Sequence, residues 1–188
     1  MLEPIFTAPV QHAVFRAALN AQSYPGRCVP LPTGVEGAPA YRALLSALLD
    51  AEVSLADPQN LLCAQADWPF LEARASDAPQ ADFILLPGDT ALTLAPRIGT
   101  LEEPEKSATL VWVVGEIGRE DATQDALNLQ LSGPGIKTPH GIYVSDLHAD
   151  WLSQRKGWNC AFPMGVDIFL AGSNGILALP RTTKIEVI

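Results

Sequence analysis

Arg181-Thr182-Thr183 is the stretch of this chain best suited to hold an oxyanion. Arginine presents five N–H donors in a planar fork that matches phosphate or carboxylate, and two adjacent threonines add hydroxyls. Upstream, Asp167 is the single charge in the apolar run Val166–Ala171. Two readings follow. Asp167, Arg181, Thr182 and Thr183 contact an anionic ligand or a carboxylate on a partner, or Arg181 pairs with Asp167 and fixes the end of a hairpin. The local pair is the simpler of the two.

Other chemistries fit less well. A pyridoxal phosphate site needs a lysine for the Schiff base and an acid near the pyridine nitrogen. Lys106, Lys137, Lys156 and Lys184 all stand in polar, loop-like or terminal settings, so no cofactor is predicted. Among His12, His140 and His148, the nearest pairing with an acid is Asp146-x-His148. Two ligands on one helix face need a spacing of three or four, so the histidines are read as solvated or locally hydrogen-bonded and no metal is predicted. Gly133-Pro-Gly lacks the third glycine of a nucleotide fingerprint, and its proline removes an amide, so it is read as a turn. There is no Gly-x-Ser-x-Gly elbow, Walker lysine or HExxH. No catalytic role is assigned to Ser23, Ser173 or any cysteine. Without a self-contained active site, the chain reads as a subunit whose chemistry is shared with or carried by partners.

The elements that must position these residues follow from periodicity. Gln11–Gln22 is predicted as a helix, stopped by Pro25-Gly26. Arg27–Leu31 is a short strand candidate. A second helix opens at Pro39 and runs to about Asp50. Val53–Ala56 and Leu61–Ala64 are strand candidates. Asp67 is the expected N-cap of a helix carrying Trp68, Phe70, Leu71 and Ala75. Asp82–Leu86 and Thr109–Val114 are buried strands, the second rich in β-branched and aromatic residues. Thr90–Ile98 is open between helix and strand, and Gly99–Ser107 is loop. Gly115–Asp125 is read as charged loop, and Leu127–Leu131 as a half-exposed alternating strand. Pro139–Gly141 is loop, and Ser145 or Asp146 is expected to cap a last helix with Leu147, Trp151 and Leu152. Val166–Ala171 and Ile176–Leu179 form a hairpin about Asn174-Gly175, a dipeptide that tolerates positive φ. Pro180 ends it, and Lys184–Ile188 can form one more strand. Alternating elements predict an α/β domain, with a mixed sheet because the hairpin is antiparallel. The near-unbroken apolar runs imply strands buried on both faces.

At 188 residues, one domain over 1–188 is expected, large enough for a core without staples. The composition, 48% hydrophobic and 18% charged, is globular. No apolar run approaches the roughly 20 residues of a membrane span, and Met-Leu-Glu-Pro does not open a secretory signal. Cys28, Cys63 and Cys160 lack CxxC spacing and read as small buried hydrophobes in a reducing cytoplasm. A net charge of -9 argues against nucleic acid as partner. It does not exclude small anions, because a local basic pocket can sit in an acidic protein.

Four blocks, in order, resemble the PhnH family. They are Phe15-Arg16 with Ala21, Ser23 and Pro25-Gly26; Thr100, Glu103-Pro104-Glu105 and Ala108-Thr109-Leu110; Gly133-Pro-Gly-Ile136; and Gly165-Val-Asp-Ile-Phe-Leu with Leu179-Pro-Arg-Thr-Thr-Lys-Ile-Glu-Val. Tyr24 and Gln22 beside the Ser-x-Pro-Gly turn, and Ser173-Asn-Gly in the hairpin, depart mildly from that pattern. The resemblance implies a three-layer α/β/α sandwich with a mixed sheet, resembling the large domain of fold-type I pyridoxal phosphate-dependent transferases without their cofactor. It also implies a cytoplasmic subunit of the carbon–phosphorus lyase core complex in bacterial phosphonate catabolism. Such a subunit joins other core subunits in attaching alkylphosphonate to the ribose of ATP with release of adenine, and self-associates as a homodimer when isolated. Two alternatives remain open: an independent small-anion-binding enzyme on the same fold, with its pocket near Arg181 and Asp167, and a purely structural adaptor.

Overall fold

The computed structural model describes residues 3–62, 68–119 and 125–188. Its helices are α1 (Ala8–Ser23), α2 (Ala40–Leu48), the single turn α3 (Trp68–Leu71) and α4 (Ala149–Trp158). The strands are β1 (Ser54–Ala56), β2 (Arg74–Ala75), β3 (Phe83–Pro87), β4 (Thr109–Val113), β5 (Ile117–Gly118), β6 (Leu127–Ser132), β7 (His140–Val144), β8 (Asp167–Gly172), β9 (Gly175–Leu179) and β10 (Lys184–Val187). They form a six-stranded sheet in the order β2-β1-β3-β4-β8-β9 and a four-stranded sheet in the order β10-β6-β7-β5. In the first sheet only the β8–β9 pairing is antiparallel. The second is antiparallel throughout.

The central strands are apolar on both faces because both faces are covered. On one side Leu85, Val111, Phe169 and Ala178 pack under Ala18, Ala21, Leu44 and Leu45 of α1 and α2. On the other, Ile84, Leu110, Trp112 and Leu170 meet Leu129, Leu131, Ile142 and Val144 of the second sheet, with Trp151 of α4. The expected mixed α/β sheet is present. The covering of its second face differs from an α/β/α sandwich: a second sheet shares that layer with one helix. Leu127–Leu131 and Lys184–Ile188 advertise that sheet by alternation, whereas β5 and β7 do not.

Several local expectations are corrected. Arg27–Leu31 contributes only an isolated bridge, Val29 to Ile176. Thr90–Ile98 forms no regular element, and Ile98 bridges Ser107. The segments read as loops at Gly115–Asp125 and Pro139–Gly141 contain β5 and the start of β7. Ala75 lies in β2, paired beside β1, not in a helix. Asp67 and Cys63-Ala64 lie outside the described residues. α4 begins later than expected, with His148 at its N-cap accepting from the Asp150 amide, while Asp146 adopts φ 53° in the preceding turn.

The hairpin turn also shifts by one residue. Gly172 pairs with Gly175, which leaves Ser173 and Asn174 as the central residues. Asn174 uses its amide as a strand would, accepting from Ile117 N at 3.2 Å and donating to Ile117 O at 2.7 Å. The hairpin is thereby tied to β5 of the other sheet. Gly175 is required by closeness: its φ is +150°, and a Cβ there would stand 2.5 Å from the Val29 carbonyl oxygen.

The N-terminal edge of the parallel strands carries two acid–arginine clamps, with Asp82 before β3 and Asp167 opening β8. Asp82 accepts from Ser54 N at 2.8 Å, from Ser54 Oγ at 2.6 Å and from Arg97. Burial pushes its carboxyl up, but the Ser54 and Arg97 contacts together outweigh burial and hold it below its usual 3.8. Such a group adds stability above its unfolded value and loses it as pH falls through the lower folded value. Asp82→Asn is expected to cost about 1–2 kcal/mol at neutral pH. Urea unfolding at a series of pH values should show the difference from wild type shrinking below the ordinary 3.8. A constant difference down to strong acid would refute the carboxylate's role.

Candidate functional site

The second clamp is where three of the four blocks of the sequence pattern meet, and the fourth, N-terminal block reaches it through the glycine turn. Pro180–Thr183 is a turn, closed by Thr183 N to Pro180 O at 2.9 Å, that carries the chain from β9 in one sheet to β10 in the other. Arg181 reaches out of this turn in several directions. Its Nε and Nη2 donate to Asp167, at 3.2 and 2.7 Å to Oδ2. Nη1 donates to Pro104 O at 2.9 Å and Pro163 O at 3.0 Å, and Nη2 also to Ser107 Oγ at 2.6 Å. All five guanidinium N–H groups therefore have acceptors within the chain. The Arg181 amide adds a bond to Asp167 Oδ1 at 2.7 Å.

The glycine turn leans on the same place, and the N-terminal block leans on the glycine turn. Gly133 and Ile136 close a turn at 3.1 Å. A Cβ at Gly133 would come 2.9 Å from Thr182 O, and one at Gly135 would come 2.7 Å from the Pro25 ring. His140 lies within 3.3 Å of Gly26 O through Nε2 and 3.2 Å of Thr138 O through Nδ1.

From below, α4 holds the turn with a side chain that sequence reading passed over. Arg155 is 5% exposed. Its Nη2 donates to Pro180 O at 2.7 Å and Thr183 O at 3.0 Å. Its Nε and the hydroxyl of Thr183, a residue 2% exposed, have no hydrogen-bond partner among the described residues. Burial pushes the Arg155 guanidinium down to about 10, against an opposing pull from the Asp167 charge. The one signal for a buried Arg155 is its spacing of four from Trp151, on the same helix face. Asn159 ends α4, with Oδ1 accepting from Val166 N at 2.7 Å, and so fixes the helix to the start of β8.

Between α4 and β10, the edge strand of the second sheet, runs a groove of about 900 Å³. Arg155, Arg181, Thr182 and Thr183 line it; Asp167 stands behind Arg181 as its partner. The structure thus brings together all four residues singled out from sequence, with Asp167 and Arg181 in direct contact.

The remaining candidates lie elsewhere. His12 is exposed on α1, and His148 caps α4. No three potential metal-ligating side chains cluster among the described residues. Burial pushes the Cys28 thiol up, away from the thiolate a nucleophile needs, whereas Cys160, expected to be buried, is exposed just past the end of α4. Among the described residues no helix is long and apolar enough to cross a membrane.

Comparison with known proteins gives three matches. The family model described as bacterial phosphonate metabolism protein (PhnH) matches residues 4–186. A putative C-P lyase subunit protein, HtxG, from Stutzerimonas stutzeri is 39% identical over 183 residues, 97% of this chain and 89% of that protein. The alpha-D-ribose 1-methylphosphonate 5-triphosphate synthase subunit PhnH of Rhizobium meliloti (strain 1021) is 37% identical over 95 residues, 47% of this chain and 42% of that protein.

Proposed function

The chain belongs to the PhnH family of bacterial phosphonate metabolism proteins, and from that premise we propose that it is a subunit of a carbon–phosphorus lyase complex. Its part there is to support attachment of alkylphosphonate to the ribose of ATP with release of adenine, in company with other core subunits. The observation that carries this reading is the match to HtxG across 97% of the chain. The synthase named for the Rhizobium relative supports the ribosyl step. The site geometry agrees with a supporting role: Arg181, the residue best suited to a transferred oxyanion, has its donors engaged in tying the start of β8 to two loops, at Pro104–Ser107 and at Pro163. In isolation the chain is expected to form a homodimer in the cytoplasm. Its parallel strands are expected to align with the large domain of fold-type I pyridoxal phosphate-dependent transferases.

Co-expression with the other core subunits, followed by size exclusion and mass determination, tests the reading. The chain should co-elute in one large assembly. That assembly, given methylphosphonate and ATP, should release adenine, and release should stop when this chain is omitted. A separate peak beside an assembled and active complex overturns it. A structural adaptor is the second reading, favoured by the complete engagement of Arg181. It expects the assembly to form with this chain and adenine release to persist without it.

A further inference from the structure

The groove between α4 and β10 has a charge pattern opposite to the rest of the chain. Arg155, Lys156, Arg181 and Lys184 line it, four of the chain's 12 basic residues, and none of its 21 acidic residues does. Arg181 is neutralised by Asp167 at 2.7 Å, whereas Arg155 forms no ion pair among the described residues. Arg155 uses Nη2 on the two turn carbonyls, and its buried Nε–H has no acceptor among the described residues. Thr183 Oγ1 is a second buried polar atom in the same lining without a partner. A buried cation with no ion-pair partner and a buried hydroxyl with no hydrogen bond are costly unless something completes them. Leu152 on the helix and Ile185 on the strand supply apolar wall, beside the polar side chains of Ser153, Asn159 and Thr182.

We propose that this groove binds a small amphiphilic oxyanion, its acid head received by Arg155 and Thr183 and its apolar body laid along Leu152 and Ile185. The head is of phosphonate, phosphate or carboxylate type. Lys156 and Lys184 at the rim draw it in against a net charge of -9. The groove, at about 900 Å³, is far larger than inorganic phosphate requires and is of the size that takes a small organic ligand. The inference stands apart from membership of a complex, because it concerns what the isolated chain binds.

The test is calorimetric titration of the full-length isolated protein with inorganic phosphate, methylphosphonate, hexylphosphonate, hexanoate and, as the cationic control, hexylammonium. One saturable site is expected for the anions bearing a tail. Affinity should rise about three- to fourfold for each of the first methylenes added, and hexylammonium should give no saturable heat. Comparing the phosphonate with the carboxylate tells which head the site takes. Thr183→Val keeps the shape and removes only the unpartnered hydroxyl, so it should fold at least as well as wild type and bind at least threefold more weakly. Lys184→Gln should fold normally and lose affinity mainly at low salt. Arg155→Met should abolish binding, and if it does not fold, the two other variants still decide. Absence of saturable binding by every anion, or binding that neither Thr183→Val nor Lys184→Gln weakens, overturns the proposal.

Discussion

Arg181→Ala is expected to destabilise the protein by about 3 kcal/mol, at the low end for a broken buried pair because Asp167 keeps some access to water. For a chain of this length that lowers the melting temperature by roughly 6–12 °C. The loss has a definite inventory. Asp167 loses its contacts to Nε and Nη2 and keeps only the bond from the Arg181 amide. Pro104 O, Pro163 O and Ser107 Oγ lose a donor each. Arg181→Lys should recover little, since an ammonium supplies three donors from one point and cannot span acceptors on three separate segments. Urea unfolding of Arg181→Ala, Asp167→Ala and the double variant gives a cycle in which the double costs clearly less than the sum of the singles. Additive losses would mean that the two side chains do not act as a pair. Unchanged stability in Arg181→Ala, with assembly lost, would turn the clamp into a partner contact. Any effect of this substitution on growth with phosphonate therefore has to be read beside the stability of the variant.

How much of this was legible depends on whether a residue's role is local. Leu-Val-Trp-Val at β4 and Ile-Phe-Leu-Ala at β8 announce themselves as strands because their composition fits a sheet covered on both sides. The pairing of Arg181 with Asp167 was readable as an alternative because the hairpin brings the two ends together. Its other acceptors, Pro104, Ser107 and Pro163, were not, since nothing in a carbonyl's sequence marks it as an acceptor across the fold. β5 and β7 hid for a related reason. Ile117-Gly118 is too short for periodicity, and His140-Gly141 opens β7 with turn-forming types. Arg155 was passed over because Ser-Gln-Arg-Lys reads as a solvated helix face, whereas the bulk of Trp151 one turn earlier turns that position inward.

Trp112→Ala is expected to have the largest effect among core substitutions, a loss of about 3–5 kcal/mol. Trp112 is fully buried at the centre of β4 and stacks on Trp151 of α4, with ring centroids 5.6 Å apart and planes inclined by 27°. That stack joins the first sheet to the helix that carries Arg155. The two indoles differ in their polar ends: Trp151 Nε1 donates to Pro87 O at 3.1 Å, while Trp112 Nε1 is buried without a partner among the described residues. Phenylalanine at Trp112 therefore removes a donor that was already unsatisfied, and the gain offsets part of the lost packing. At Trp151 the same change leaves a carbonyl without its donor as well as a smaller ring. Trp112→Phe should cost less than Trp151→Phe, with a gap of about 1 kcal/mol in urea unfolding. The reverse order would show that packing volume alone governs both sites. The consequence for function is separable from that of the groove. Trp112→Ala loosens α4 from the sheet, so near-ultraviolet circular dichroism, stability and co-elution with partner subunits should all fall together. Lys184→Gln, on the exposed rim, should leave the first two untouched. A Trp112→Ala protein that keeps wild-type stability yet fails to assemble would place Trp112 in contact with a partner, against its complete burial here.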